Sequence, residues 1–140
     1  MNVLILCTGN SCRSQMAEGI GNHFFNNGIK FYSAGIEKHG LNKYAMKVLE
    51  EIEIDTSVLY SKLTDEIENI DFDLVITVCD NAKEACPVYP GKKLIHKNFK
   101  DPSRFSIDEM NEEELLKKYR KTRDEIKDFL LNLEELKNFS

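Results

Sequence analysis

The feature that most constrains this chain is a short apolar run that passes directly into a loop of small polar residues and then into a helical pattern. Val3-Leu4-Ile5-Leu6 is continuously apolar and rich in β-formers, the mark of a strand covered on both faces of a parallel sheet. Cys7-Thr8-Gly9-Asn10-Ser11-Cys12-Arg13-Ser14 follows. Met16, Ala17, Ile20 and Phe24 then recur at helical spacing, with Ser14 as the expected N-cap. Gly28 is a stop signal, and Ile29 to Ala34 reads as a second strand closed by Gly35. The first 34 residues are therefore a strand–loop–helix–strand unit.

The same alternation continues. Asn42 can cap a helix carrying Ala45, Val48, Leu49 and Ile52 on one face. Leu63 to Ile70 is expected as a short helix, Leu74 to Val78 as the clearest buried strand, and Asn81 to Ala85 as a short helical segment stopped by Pro87. Lys93 to Ile95 is a weak strand. From Glu112 to about Phe139, Leu115, Leu116, Tyr119, Ile126, Phe129, Leu130, Leu133 and Leu136 mark a long amphipathic helix whose charged face is solvated. With 140 residues, no repeat and no linker, the expectation is one α/β domain over 1–140. Its core is a four-stranded parallel sheet with helices on both faces.

Charge and cysteine content narrow the function. A net charge of −5 disfavours nucleic acid and anionic membrane as partners. No apolar run approaches the roughly 20 residues of a membrane span. Met1 to Cys7 lacks the pattern of a signal peptide, so a cytoplasmic location is expected. In that reducing setting Cys7, Cys12, Cys79 and Cys86 point to catalysis, redox chemistry or metal binding rather than to structural staples. The six-residue spacing between Cys79 and Cys86, with no close His pair, does not suit a metal site. His39 and His96, each alone, read as structural.

The loop between strand and helix suits a tetrahedral oxyanion. Its backbone N–H groups and the helix dipole can hold negative charge, with Thr8, Gly9, Asn10, Ser11, Cys12 and Arg13 as the binding segment. The Arg13 guanidinium can clamp two oxygens. Cys7, at the mouth of the strand, faces the bound centre as a nucleophile. Arg13 and the dipole should favour its thiolate, and Ser14 could hydrogen-bond the sulfur. Glu18 is the one acid among residues 1–35, so the segment is nearly free of opposing charge.

Cys7 to Glu18, read with Tyr32-Ser33-Ala34-Gly35-Ile36-Glu37 and His39-Gly40, resembles the phosphate loop shared by low-molecular-weight protein tyrosine phosphatases and thioredoxin-coupled arsenate reductases. The wording Ser-Cys-Arg-Ser-Gln-Met-Ala-Glu is nearer the reductases. The likeness continues through Cys79, Cys86-Pro87, His96 with Phe99, Asp101-Pro102 and Arg123 to Ile126, and is weakest over Ser106 to Glu114. It implies arsenate reduction, with Cys7 as nucleophile, a Cys7–Cys79 intermediate disulfide, a final Cys79–Cys86 disulfide reduced by thioredoxin, and Asp101 assisting the leaving oxygen. Cys12 stands outside that relay, and a monomer is expected. Some members of the family bind potassium at positions matching Asn10, Glu18 and Ser33 plus an acidic residue. Lys62 stands at the acidic position, so its ammonium is expected to replace the ion as the partner of Glu18. The alternatives are a phosphatase acting on phosphotyrosine or phosphoarginine, and an oxyanion or redox sensor. Ser103, where tyrosine phosphatases of this fold carry an aromatic residue, weighs against the first. Glutaredoxin or a mycothiol-type thiol stays open as the reductant.

Overall fold

A computed structural model describes residues 1–79 and 92–137. Four strands, β1 (Asn2–Cys7), β2 (Lys30–Gly35), β3 (Leu74–Thr77) and β4 (Lys93–His96), form one sheet in the order β2-β1-β3-β4. Every pair is parallel, so the expected four-stranded parallel sheet is what forms. Helix α1 (Arg13–Phe24) joins β1 to β2, and α2 (Lys43–Glu50) lies between β2 and β3. After β4 come α3 (Glu112–Leu131) and α4 (Glu134–Lys137). Helices α1, α2 and α3 pack on one another, and α1 also packs on β1 and β2.

The two central strands carry the strongest sequence signals because both of their faces are covered. Val3 to Leu6 and Leu74 to Ile76 are buried throughout. Each such Val, Leu or Ile contributes roughly 1.5–3 kcal/mol on burial. β4 lies at the edge with Leu94 56% exposed, which accounts for its faint pattern. Asn42 caps α2 as expected, its side chain accepting from the N–H groups of Tyr44 and Ala45. Arg123 of α3 is buried and donates from Nη1 to the Val48 carbonyl at 2.8 Å and to Glu51 Oε1 at 3.0 Å, tying α3 to the end of α2.

Four local expectations are corrected. Helix α1 begins at Arg13, with Cys12 at the cap position and no side-chain cap, so Ser14 lies inside the first turn. Gly28 has φ +94° but sits after the helix, in the turn into β2, where its carbonyl accepts from the N-terminal ammonium at 2.8 Å. The Leu63–Ile70 helix reduces to a single 3₁₀ turn at Thr64–Ile67. The long C-terminal helix stops at Leu131. Asn132 leaves helical geometry at φ −102°, ψ 2°, its N–H bonding the carbonyls of Asp128 and Leu130, and the short α4 then buries Leu136. The helical segment expected at Asn81–Ala85, and Cys86 with it, lies outside the described residues. Among the described residues no helix is long and apolar enough to cross a membrane.

Candidate active site

The sheet brings the chemistry to one edge. β1 and β3 run in register with Leu6 opposite Thr77, and the Val78 N–H donates to the Leu6 carbonyl at 3.0 Å. Cys7 and Cys79 therefore emerge side by side at the carboxyl ends of the two central strands, where parallel sheets place ligands. The chain beyond β4 returns to the same edge. The Phe99 N–H bonds the Val78 carbonyl at 3.1 Å, which delivers Asp101 above the loop.

The loop after β1 is held open from outside. The Thr8 carbonyl accepts from the Glu37 N–H at 2.9 Å, Gly9 from His39 N–H at 3.0 Å, and Ser11 from Asn42 N–H at 2.9 Å. Asn10 O accepts from Gln15 Nε2 at 3.1 Å. A peptide's C=O and N–H point opposite ways. Four carbonyls engaged on the outside thus turn the N–H groups of Gly9, Asn10, Ser11 and Cys12 to the inner side, an anion-binding nest at the start of α1.

Asn10 makes this shape possible. It takes the left-handed conformation at φ +49°, which Asn tolerates better than most residues. Its buried amide is fully used. Nδ2 donates to Ser14 Oγ and Ser33 Oγ, both at 2.9 Å, and Oδ1 accepts from Gln15 Nε2 at 2.9 Å and Lys62 N–H at 2.7 Å. Ser33 in turn donates to Glu18 Oε1 at 2.7 Å. The Asn10 side chain is a brace behind the loop, and its backbone alone can face an anion. Ser14 belongs to the same brace. Its hydroxyl accepts from Asn10 and makes no hydrogen bond to Cys7.

Cys7, Thr8, Gly9, Ser11, Cys12 and Arg13 line an open cavity of about 220 Å³, with His39, Asp101 and Ser103 completing its wall. Arg13 donates from Nη1 to the Phe99 carbonyl at 2.8 Å, and Nη2 lies 3.6 Å from Asp101 Oδ2. Among the described residues its buried Nε has no hydrogen-bond partner, which leaves one edge of the guanidinium for an anion. Asp101 Oδ1 accepts from the N–H and hydroxyl of Ser103 at 2.9 and 2.6 Å, which fixes the carboxyl at the cavity.

The thiols depart from expectation. Cys7, Cys12 and Cys79 are all buried. Cys79 Sγ lies 3.3 Å from Thr8 Oγ1, and its thiol stands beside that of Cys7. That contact first, and burial second, push the Cys7 thiol above the ordinary thiol range, while Arg13 and the Thr8 N–H pull it down and are outweighed. The expected lowering influences exist, but a second thiol against the first overrides them. Burial and the Asp101 charge also raise Cys12, against Arg13.

Beside the loop, the Lys62 ammonium is 3.2 Å from Glu18 Oε1 and 3.1 Å from the Tyr60 carbonyl, and it sits 4.4 Å from the centre of the Tyr60 ring. Lys62 is 3% exposed. Glu18 thus faces the Lys62 ammonium, and the Lys62 backbone N–H holds Asn10 of the same brace. Among the described residues no cluster of His, Cys, Asp and Glu could hold a metal.

Two supports were not visible in local patterns. The Tyr119 hydroxyl accepts from Asn42 Nδ2 at 3.0 Å, placing a buried ring of α3 behind the residue that grips the Ser11 carbonyl. His39, read from the sequence as structural, lines the cavity. His96 bonds Thr77 Oγ1 at 2.8 Å through Nδ1, away from the loop's lining.

Known proteins share this fold. The family model for low molecular weight phosphotyrosine protein phosphatase matches residues 2–138. An arsenate reductase of Halalkalibacterium halodurans is 44% identical over 125 residues, 89% of this chain and 88% of that protein. An arsenate reductase solved in its reduced state superposes with a TM-score of 0.73 at 28% identity, over 99% of this chain and 98% of that one. A thioredoxin-dependent arsenate reductase of Corynebacterium glutamicum superposes with a TM-score of 0.62 at 26% identity, over 94% of this chain and 63% of that one.

Proposed function

This chain belongs to the low molecular weight phosphotyrosine protein phosphatase family, and we propose that within it the chain is an arsenate reductase that works through a three-thiol relay. The observation that carries this reading is the Cys79 thiol, which emerges beside Cys7 from the neighbouring strand and lies 3.3 Å from the Thr8 hydroxyl of the anion loop. Hydrolysis of a phosphate ester needs one thiol and has no use for a second. Reduction needs two electrons, and two adjacent thiols supply them.

Arsenate enters the nest, held by the loop N–H groups and Arg13. The Cys7 proton passes to the bound oxyanion, and the thiolate attacks arsenic. One arsenic–oxygen bond breaks, and Asp101 helps deliver the proton with which that oxygen leaves as water. Cys79 then attacks the Cys7 sulfur. An S–S bond forms, the S–As bond breaks, and its electron pair stays on arsenic, which leaves as arsenite. Cys86 attacks Cys79, freeing the Cys7 thiolate and giving Cys79–Cys86, which a thioredoxin dithiol reduces. The thioredoxin-dependent relative supports that choice of reductant.

The Lys62 ammonium serves as the internal cation of Glu18 in this proposal, so turnover shows no stimulation by potassium over sodium. The phosphatase reading draws on the same loop and on the family itself. Coupled NADPH consumption with thioredoxin and its reductase separates the two. Arsenate-dependent turnover that disappears in Cys79→Ser, while aryl phosphate hydrolysis persists, supports the reductase. Flat NADPH consumption with intact phosphatase activity refutes it.

A further inference from the structure

Helix α3 is tied to α2 at both ends of the shorter helix, and one of those ties continues into the anion loop. At the far end, Arg123 donates to the Val48 carbonyl and to Glu51. One turn earlier on the same face of α3, the Tyr119 hydroxyl accepts from Asn42 Nδ2 at 3.0 Å. Tyr119 is 2% exposed, and its ring lies 5.6 Å from that of Tyr44. The rest of Asn42 is engaged too. Its Oδ1 caps α2 by accepting from the N–H groups of Tyr44 and Ala45 at 2.9 and 3.1 Å. Its carbonyl accepts from the Met46 N–H at 3.1 Å, and its own N–H holds the Ser11 carbonyl at 2.9 Å. The Ser11 carbonyl and the Cys12 N–H share one peptide plane, so pinning the carbonyl outside the loop turns that N–H inward. Ser11 and Cys12 both line the anion cavity. A chain of contacts thus runs from the Tyr119 hydroxyl through Asn42 to one N–H of the nest.

We infer that Tyr119 is a positioning residue that sets the affinity of the anion loop from α3, acting through Asn42 on the Cys12 N–H. This rests on the loop being an oxyanion site and deepens that reading. Tyr119 touches no substrate. Its hydroxyl holds Asn42 in one orientation before the anion arrives, so that ordering is not drawn from the binding step. Linkage makes the effect reciprocal, and an anion on the Cys12 N–H tightens the Asn42 N–H on the Ser11 carbonyl.

The probe is inorganic phosphate, measured by calorimetry on the full chain. Tyr119→Phe keeps the ring and removes the hydroxyl. Asn42→Ser keeps a capping oxygen and the backbone N–H but is too short to reach Tyr119. Each should bind phosphate about fivefold more weakly, within the worth of one neutral hydrogen bond. The double variant should again lose about fivefold rather than about twenty-fivefold, because both changes cut one link. Arg123→Met cuts a buried tie that does not continue into the loop, so it should unfold at lower urea yet keep phosphate affinity within about twofold. Hydrogen exchange followed by NMR should show the Asn42 amide slowed by phosphate in the unaltered chain and quickened in Tyr119→Phe, a change that a merely stabilising hydroxyl would not single out. Phosphate affinity of Tyr119→Phe within about twofold of the unaltered chain, or a loss in Arg123→Met as large as that in Tyr119→Phe, would overturn the inference and leave the loop reading standing. Absence of phosphate binding to the unaltered chain would overturn both.

Discussion

Replacing Lys62 by Met tests how the loop is supported. Met keeps an unbranched apolar stem near Tyr60 and removes the charge. Glu18 is 8% exposed and Lys62 3%, so water reaches neither side chain freely. Without the ammonium, the Glu18 carboxylate keeps, among the described residues, only the Ser33 hydroxyl at 2.7 Å. Breaking one side of a buried ion pair typically costs about 3–5 kcal/mol, because the survivor stays buried without compensation. Loss of the contact with the Tyr60 ring adds about 0.5–2 kcal/mol. Urea unfolding of Lys62→Met should therefore show a loss of about 3.5–7 kcal/mol, with an unchanged dependence on urea. The double variant Lys62→Met/Glu18→Gln should recover most of the loss, since it leaves no lone charge. A single-variant loss below about 1 kcal/mol, or a double variant that adds the two losses, would refute the reasoning.

Three further outcomes follow from named contacts. In Cys79→Ala the contact that raises Cys7 is gone while Arg13 and the Thr8 N–H remain, so the midpoint of Cys7 alkylation by iodoacetamide should move to lower pH; an unmoved midpoint contradicts this. Gly35→Ala would put a Cβ 2.5 Å from the Glu37 carbonyl oxygen and 2.8 Å from that of Thr8. Backbone on both sides cannot yield cheaply, so a cost of about 1–3 kcal/mol and a large loss of phosphate binding are expected by calorimetry, and near-normal binding would count against it. Burial pushes Tyr119 up to about 12, so spectrophotometric titration should show one tyrosinate forming late, and Tyr119→Phe should remove that phase at a cost of about 1 kcal/mol.

Much of the fold was readable because its central strands are local signals. Val3–Leu6 and Leu74–Val78 are unbroken apolar runs, and a loop of small residues between strand and helix announces an anion site. The resemblance placed Lys62 opposite Glu18, and the structure brings them within 3.2 Å. The missing parts depend on distant pairings. The turn at Asn132 interrupts an apolar spacing that would otherwise continue through Leu136. Tyr119 reaches Asn42 across 77 positions, and Lys62 reaches Asn10 across 52. Neither leaves a periodic trace. Ser14 matched the composition of a cap, yet its hydroxyl serves Asn10 inside the brace. The direction of the Cys7 shift was missed for the same reason. Arg13 and the dipole are neighbours in sequence, whereas Cys79, which outweighs them, lies just past the end of another strand.

The central claim is that Cys79 takes the oxidising equivalents from Cys7. A single turnover of the Cys86→Ser variant with excess arsenate and no thioredoxin tests it directly, by mass spectrometry of the quenched, alkylated and digested protein. The account predicts one arsenite released per chain and a peptide pair joined by a Cys7–Cys79 disulfide, with Cys12 recovered alkylated. Arsenite formed with Cys79 still alkylatable, or a disulfide joining Cys7 to Cys12, would contradict it.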